Sequence, residues 1–222
     1  MSIVVRKLVA KELYVNRWFM LASAVAAVLS IGAASFGGSA YNIAAITWLT
    51  TVVAWGVMLA IYGISNERKE NTLQFVLSMP LSPAEYVRAK VFGLLLTYSL
   101  PWLAASGSAL ALVLLSPLVP DGLLPYVVLL CVFLFANFTV VICGAVHARS
   151  DAMVAGVIIL TNMMVSLFMF AVGARPGIKD HMYGPTPVWN DTFFNLLSLE
   201  LIVSVIAVAL PLATAARRRD FI

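Results

Sequence analysis

Charge is scarce in this chain. Only 11% of its 222 residues are Asp, Glu, Lys or Arg, where a soluble domain carries about 25%. A water-facing globule is thereby excluded. With 62% hydrophobic residues and a mean hydropathy of +0.99, the composition is that of an integral membrane protein. Cysteine and histidine are scarcer still, two of each. Cys131 and Cys143 fall in one apolar run about three helical turns, roughly 18 Å, apart, too far to bond each other. They say nothing about redox compartment. His147 and His181 are expected on opposite sides of the membrane, so no metal-ligand cluster is expected. His147 reads as a helix-end residue complementing the helix dipole, and His181 as a solvated loop residue. No phosphate-cradling G-x-x-x-x-G-K-[ST] sequence occurs, so the chain is not expected to hydrolyse ATP by itself. An enzyme would need a convergent acid, base or metal site, and none is visible. An ion-coupled carrier would need several charges at membrane depth, whereas the apolar runs contain one, Glu200.

What the chain does have is apolar length. Six runs, at about 19–36, 43–64, 91–115, 123–146, 152–174 and 193–214, each approach the roughly 20 residues a helix needs to cross hydrocarbon. No interval is long enough for a separate soluble domain, so residues 1–222 read as one all-α transmembrane unit. Gly37-Gly38 marks a tight turn between the first two runs. Pro117, Pro120, Gly122 and Pro125 break the helix between the third and fourth. Residues 147–151 join the fourth and fifth, and a polar loop from Arg175 to Asp191 precedes the sixth.

Ahead of the first run, residues 2–17 alternate with helical period. Val5, Leu8, Val9 and Leu13 share one face, and Arg6, Lys7, Lys11 and Arg17 the other. This pattern predicts an interfacial helix lying among the lipid headgroups; a cytosolic extension of the first span is the alternative. Trp18 marks the interface, where aromatic side chains prefer to sit. No cleavable signal peptide is expected, since basic residues precede the first apolar run without a convincing small-residue cleavage site.

The lysines and arginines set the orientation. With six spans, twelve of them fall on one side and only Arg175 and Lys179 on the other. Both termini, the 66–90 interval and the 147–151 loop are therefore expected in the cytosol, with the protein in the cytoplasmic (inner) membrane. The net charge of +4 reflects these membrane-surface cations, and no nucleic-acid partner is expected.

The interval from Asn66 to Lys90, NERKENTLQFVLSMPLSPAEYVRAK, is the longest charge-dense stretch between apolar runs. Asn71 and Thr72 can cap a short helix made apolar by Leu73, Phe75, Val76, Leu77 and Met79. Pro80 stops it. Ser82-Pro83-Ala84-Glu85 is then a capping box with proline at the first helical position, so the next helix starts there and runs into the third span.

Glu67-Arg68, Thr72-Leu73, Leu77, Pro80, Ser82, Glu85 and Lys90 together resemble the pattern of ABC-2-type ABC-transporter permeases, the type V exporter architecture. Asn71 and Gln74 depart from it, the family usually having glycine and often glutamate there. The resemblance implies six spans, an N-terminal interfacial helix and a cytosolic coupling helix. It implies a permease subunit that dimerises, with itself or a second protomer, in the lipid bilayer. Two copies of a separate ATP-binding subunit, holding the ATP and magnesium, would push on residues 67–82 and drive export. Glu67, Arg68, Glu70, Thr72, Leu73, Phe75, Leu77 and Pro80 would form the contact with that subunit. The haem exporter's B subunit is similar in length, span count and coupling motif, and is the alternative within the class. An ATP-independent carrier or scaffold is the alternative outside it.

Within the spans, Asn137, Thr139, Thr161, Asn162, Thr97, Ser99, Ser106 and Ser108 are polar groups at membrane depth. Interhelical hydrogen bonding is the expectation for them, and lining a translocation path is the functional alternative. Pro101 suggests a kink in the third span. Met163, Met164, Phe168, Met169 and Phe170 make a soft apolar surface in the fifth; a lipid-facing or packing role is the expectation for it, and adaptation to varied apolar ligands the alternative. Asn162, Met163 and Phe168 are the candidate path-lining residues. Glu200 lies roughly 10 Å into the sixth span, where a charge is costly. Arg175 and Lys179 in the preceding loop are the available cations. In the family that loop commonly folds into short external helices that close an outer gate, so Glu200, Arg175 and Lys179 are the candidate gate.

Overall fold

The computed structural model describes residues 3–65 and 82–215, and its regular elements are all helical. The expected coupling residues Glu67, Arg68, Glu70, Thr72, Leu73, Phe75, Leu77 and Pro80 lie outside the described residues, as do the three C-terminal arginines. In chain order the helices are α1 (Ile3–Ala33), α2 (Ser39–Ala60), α3 (Pro83–Leu115), α4 (Leu124–His147), α5 (Asp151–Gly173), the short α6 (Pro176–Lys179) and α7 (Asp191–Ala215). The last turn of α2 continues as a π-helical turn, Ile61–Ser65. Six of these helices are long and apolar enough to cross a membrane, the architecture of a multi-pass membrane protein.

The beginning of the chain differs from the expectation. A separate interfacial helix over residues 2–17 does not exist among the described residues: α1 runs unbroken from Ile3 to Ala33. Neither proline nor glycine occurs before Gly32 to interrupt it. The stripe that looked like a lipid-facing surface is a packing surface, with Val5, Val9 and Glu12 buried. Its partner is α3, which lies alongside α1. Gly93 makes the approach close, because a Cβ there would sit 2.9 Å from Glu12 Cγ. Glu12 reaches past that gap to Lys90 Nζ at 2.6 Å, while Arg6, Lys7, Lys11 and Arg17 stay exposed on the opposite face.

The start of α3 follows its sequence. Ser82 Oγ accepts from the Glu85 amide at 3.2 Å, and Glu85 Oε2 accepts from the Ser82 amide at 3.2 Å. Pro83 stands at the first helical position, where its missing amide costs nothing. Helix α3 then continues through Pro101 to Leu115.

Helix α4 is the centre of the bundle. Half of its most apolar stretch is buried within the protein, against 22% for α1, α5 and α7. On one side it meets α2 and α3, and on the other α5 and α7. The Tyr98 ring of α3 stacks on Phe138 of α4 at 3.8 Å. Gly144 lets α5 come so near that a Cβ would lie 2.6 Å from Val157 Cγ1.

Two of the interhelical hydrogen bonds come from tryptophan side chains. Trp48 Nε1 donates to the Ala105 carbonyl at 3.0 Å, and Trp102 Nε1 to the Cys131 carbonyl at 2.8 Å. The expected interhelical role of the small polar residues is not what the geometry shows for Thr97, Ser99, Ser108, Thr139 and Thr161. Their hydroxyls donate to carbonyls three or four residues back on their own helices. A helix offers those carbonyls locally, so a short side chain satisfies itself without reaching a neighbour. Long rigid aromatics span the gap between helices and carry a donor at the far end.

The connections close both ends of the bundle. Gly37 and Gly38 have φ of 69° and 58°, the conformation that lets α1 turn directly into α2. At the same end the Gly122 amide donates to the Gly184 carbonyl at 3.0 Å. A Cβ at Gly122 would collide with the His181 backbone. At the opposite end Ser65 Oγ donates to the Asp151 carboxylate. There His147 Nδ1 hydrogen-bonds the Cys143 carbonyl at 2.7 Å, and its Nε2 lies 3.0 Å from Thr214 Oγ1. His147 is thus a tie between α4 and α7, beyond the dipole role read from its position.

Candidate functional site

Helices α5 and α7 both pack on α4 but make almost no contact with each other. The space between them is a cleft of about 440 Å³, within the range of small-molecule sites. Its floor is α4, which contributes Phe133, Asn137 and Val140. Phe133 and Asn137 are four residues apart and so share a helical face. One wall is α5, with Thr161, Met164, Leu167 and Phe168. Phe168 is fixed there by stacking on Phe133 at 3.9 Å. The other wall is α7, with Leu196, Leu199, Glu200 and Val203.

The rim toward the α5–α7 loop is tightly built. Ile178 of α6 is buried with Leu129, Val172 and Phe193. The Asn190 side chain accepts from the Phe193 amide at 3.0 Å and donates to the Gly177 carbonyl at 2.5 Å. It thereby caps the start of α7 and fastens α6 to it. Arg175, the residue before α6, lines the cleft from this rim.

Glu200 is the chemical centre of the cleft. It is 6% exposed, and among the described residues neither carboxyl oxygen has a hydrogen-bond partner. Ser204 bonds the Glu200 backbone carbonyl at 2.8 Å and leaves the carboxyl untouched. A buried polar group without a partner costs about 1–3 kcal/mol, more for an ion. The expected tie from Glu200 to Arg175 or Lys179 is not made in this conformation. Arg175 faces the same cleft without bonding the acid, and Lys179 is exposed at the end of α6.

The candidate path residues divide among three environments. Phe168 is in the cleft. Asn162 faces the other way, into a narrow crevice with Val53, Gly56 and Tyr98. Met163 is 58% exposed on the outer surface of α5. Asn137 lines both the cleft and the crevice, and its four-residue spacing from Phe133 is the sequence signal that pairs it with the cleft floor. A second cavity of about 240 Å³, between α2, α3 and α4, includes Trp48, Tyr41 and Tyr126 and has no charged lining residue. Among the described residues no cluster of His, Cys, Asp or Glu could hold a metal ion.

Comparison with family models and with curated proteins gave no match.

Proposed function

We propose that this chain is the permease subunit of an ATP-driven exporter resembling the ABC-2 type. Two such protomers, identical or different, would be served by two copies of an ATP-binding subunit that holds the ATP and magnesium. The observation that carries this reading is the pattern Glu67-Arg68, Thr72-Leu73, Leu77, Pro80, Ser82, Glu85 and Lys90 at the junction of the second and third apolar runs. The fold supports it mechanically. Helix α3 begins at a capped terminus directly after that segment, and the Glu12–Lys90 pair fastens its first turns to α1. Force applied just before Ser82 would therefore move two long helices as one body. The twelve-to-two distribution of basic residues supports a cytosolic position for that segment, where the ATPase would meet it.

The test is whether an adjacent reading frame encodes a protein with a phosphate-binding loop, and whether that protein co-purifies with this chain and is stimulated by it in ATP hydrolysis. Leu73, Phe75 and Leu77 would seat in a groove of the ATPase, with Glu67, Arg68 and Glu70 at its rim. Buried anchors dominate such interfaces, and exposed charges contribute little. Phe75→Ala should therefore weaken stimulation about tenfold or more, while Glu70→Ala changes it less than about threefold. Equal stimulation by wild type and Phe75→Ala would refute the coupling role.

A further inference from the structure

The cleft between α5 and α7 holds an acid with nothing to bond, and that acid defines what would fit there. We propose that the cleft is a binding site for a lipophilic amine: an apolar, preferably aromatic body carrying one nitrogen that donates hydrogen bonds. This deepens the exporter reading by naming a substrate class for it.

Three observations converge. The first is Glu200, nine-tenths buried and lining the cleft, with both carboxyl oxygens sealed from solvent and unpartnered among the described residues, so that a turn of the side chain would bring them to a ligand. A buried carboxyl is stabilised by a donor or a cation, and the described cations do not supply one. The second is the wall around it. Phe133 and Phe168 present stacked rings, and Met164, Leu167 and Leu196 complete an apolar surface suited to a hydrocarbon or ring. The third is Asn137 on the floor, whose amide makes no hydrogen bond within the described residues and can take a second polar group of the ligand. An amphiphilic anion is disfavoured in the body of the cleft, because its charge would face Glu200. A neutral hydrocarbon would leave the acid unsatisfied.

The probe is tritiated 4-phenylbutylamine, bound to the full chain in maltoside micelles and measured by scintillation proximity, with 4-phenylbutanol as the isosteric competitor without charge. The amine should saturate and the alcohol should compete about tenfold more weakly or worse. Glu200→Gln keeps shape and removes charge, and should weaken amine binding by at least about tenfold. Ala171→Trp, which adds bulk at another lining position and leaves the acid in place, should also abolish binding and decides the matter if Glu200→Gln does not fold. Competition by phosphatidylethanolamine would identify an amino lipid as the natural source of the amine, and its failure would identify a small molecule. Equal competition by amine and alcohol, or unchanged binding in Ala171→Trp, overturns the proposal. No ATPase is present in this measurement, so its failure retires the site alone. Absent ATPase stimulation with intact amine binding would retire the exporter reading and leave the site.

Discussion

Replacing Glu12 with alanine should cost this protein more stability than any exposed charge could. Glu12 and Lys90 meet at 2.6 Å with side chains 10% and 6% exposed. Breaking a buried pair by removing one partner strands the other charge and costs about 3–5 kcal/mol, against roughly 0–1 kcal/mol for an exposed pair. Removing both charges for apolar groups of similar volume is neutral or stabilising by comparison. Glu12→Ala should therefore be strongly destabilising, and the double variant Glu12→Leu with Lys90→Leu should recover most of the loss. At about 2–4 °C per kcal/mol for a chain of this length, the single variant should unfold roughly 6–20 °C lower in a fluorescence-detected thermal scan in maltoside micelles. The pattern across the cycle matters more than the absolute shift, because α1 and α3 are read as one body only if the two sites are coupled. A small loss from Glu12→Ala would refute the reasoning. So would a double variant whose loss is the sum of the singles, since additivity is the mark of independent sites.

Two other outcomes are expected. Single cysteines introduced at Ser39 and Gly184 should react with an impermeant maleimide in intact cells, and one at Asn71 only after permeabilisation; labelling of Asn71 in intact cells would overturn the assigned orientation. Gly144→Leu must push Val157 away from a position where even a Cβ would lie 2.6 Å from it, so it should destabilise by about 1–3 kcal/mol, read as an earlier midpoint in the same thermal scan, and an unchanged midpoint would show that α5 yields freely.

What was legible in the sequence divides by distance along the chain. The start of α3 was readable because Ser82, Pro83 and Glu85 satisfy one another within one turn. The Gly37-Gly38 turn was readable because only glycine adopts its backbone at no cost. The first helix was misjudged for the opposite reason. The partners that bury its face lie on α3, among them Lys90, 78 positions away from Glu12, and a hydrophobic stripe looks the same against lipid or protein. The hydroxyls of Thr97, Ser99, Ser108, Thr139 and Thr161 are not legible in this way, because their spacing is silent on whether a hydroxyl turns outward or back to its own helix. Glu200 shows both cases at once. Its depth followed from counting residues in an apolar run, and so did the cost of charge there. That α4 floors a cleft beside it, and that Arg175 lines this cleft without bonding the acid, depends on α5 and α7 each packing on α4 while barely touching one another. That arrangement is a property of how three helices pack together, and no one of them encodes it. The acid's missing partner is therefore visible only once all three are in place, and it is the feature from which a ligand's chemistry can be reasoned.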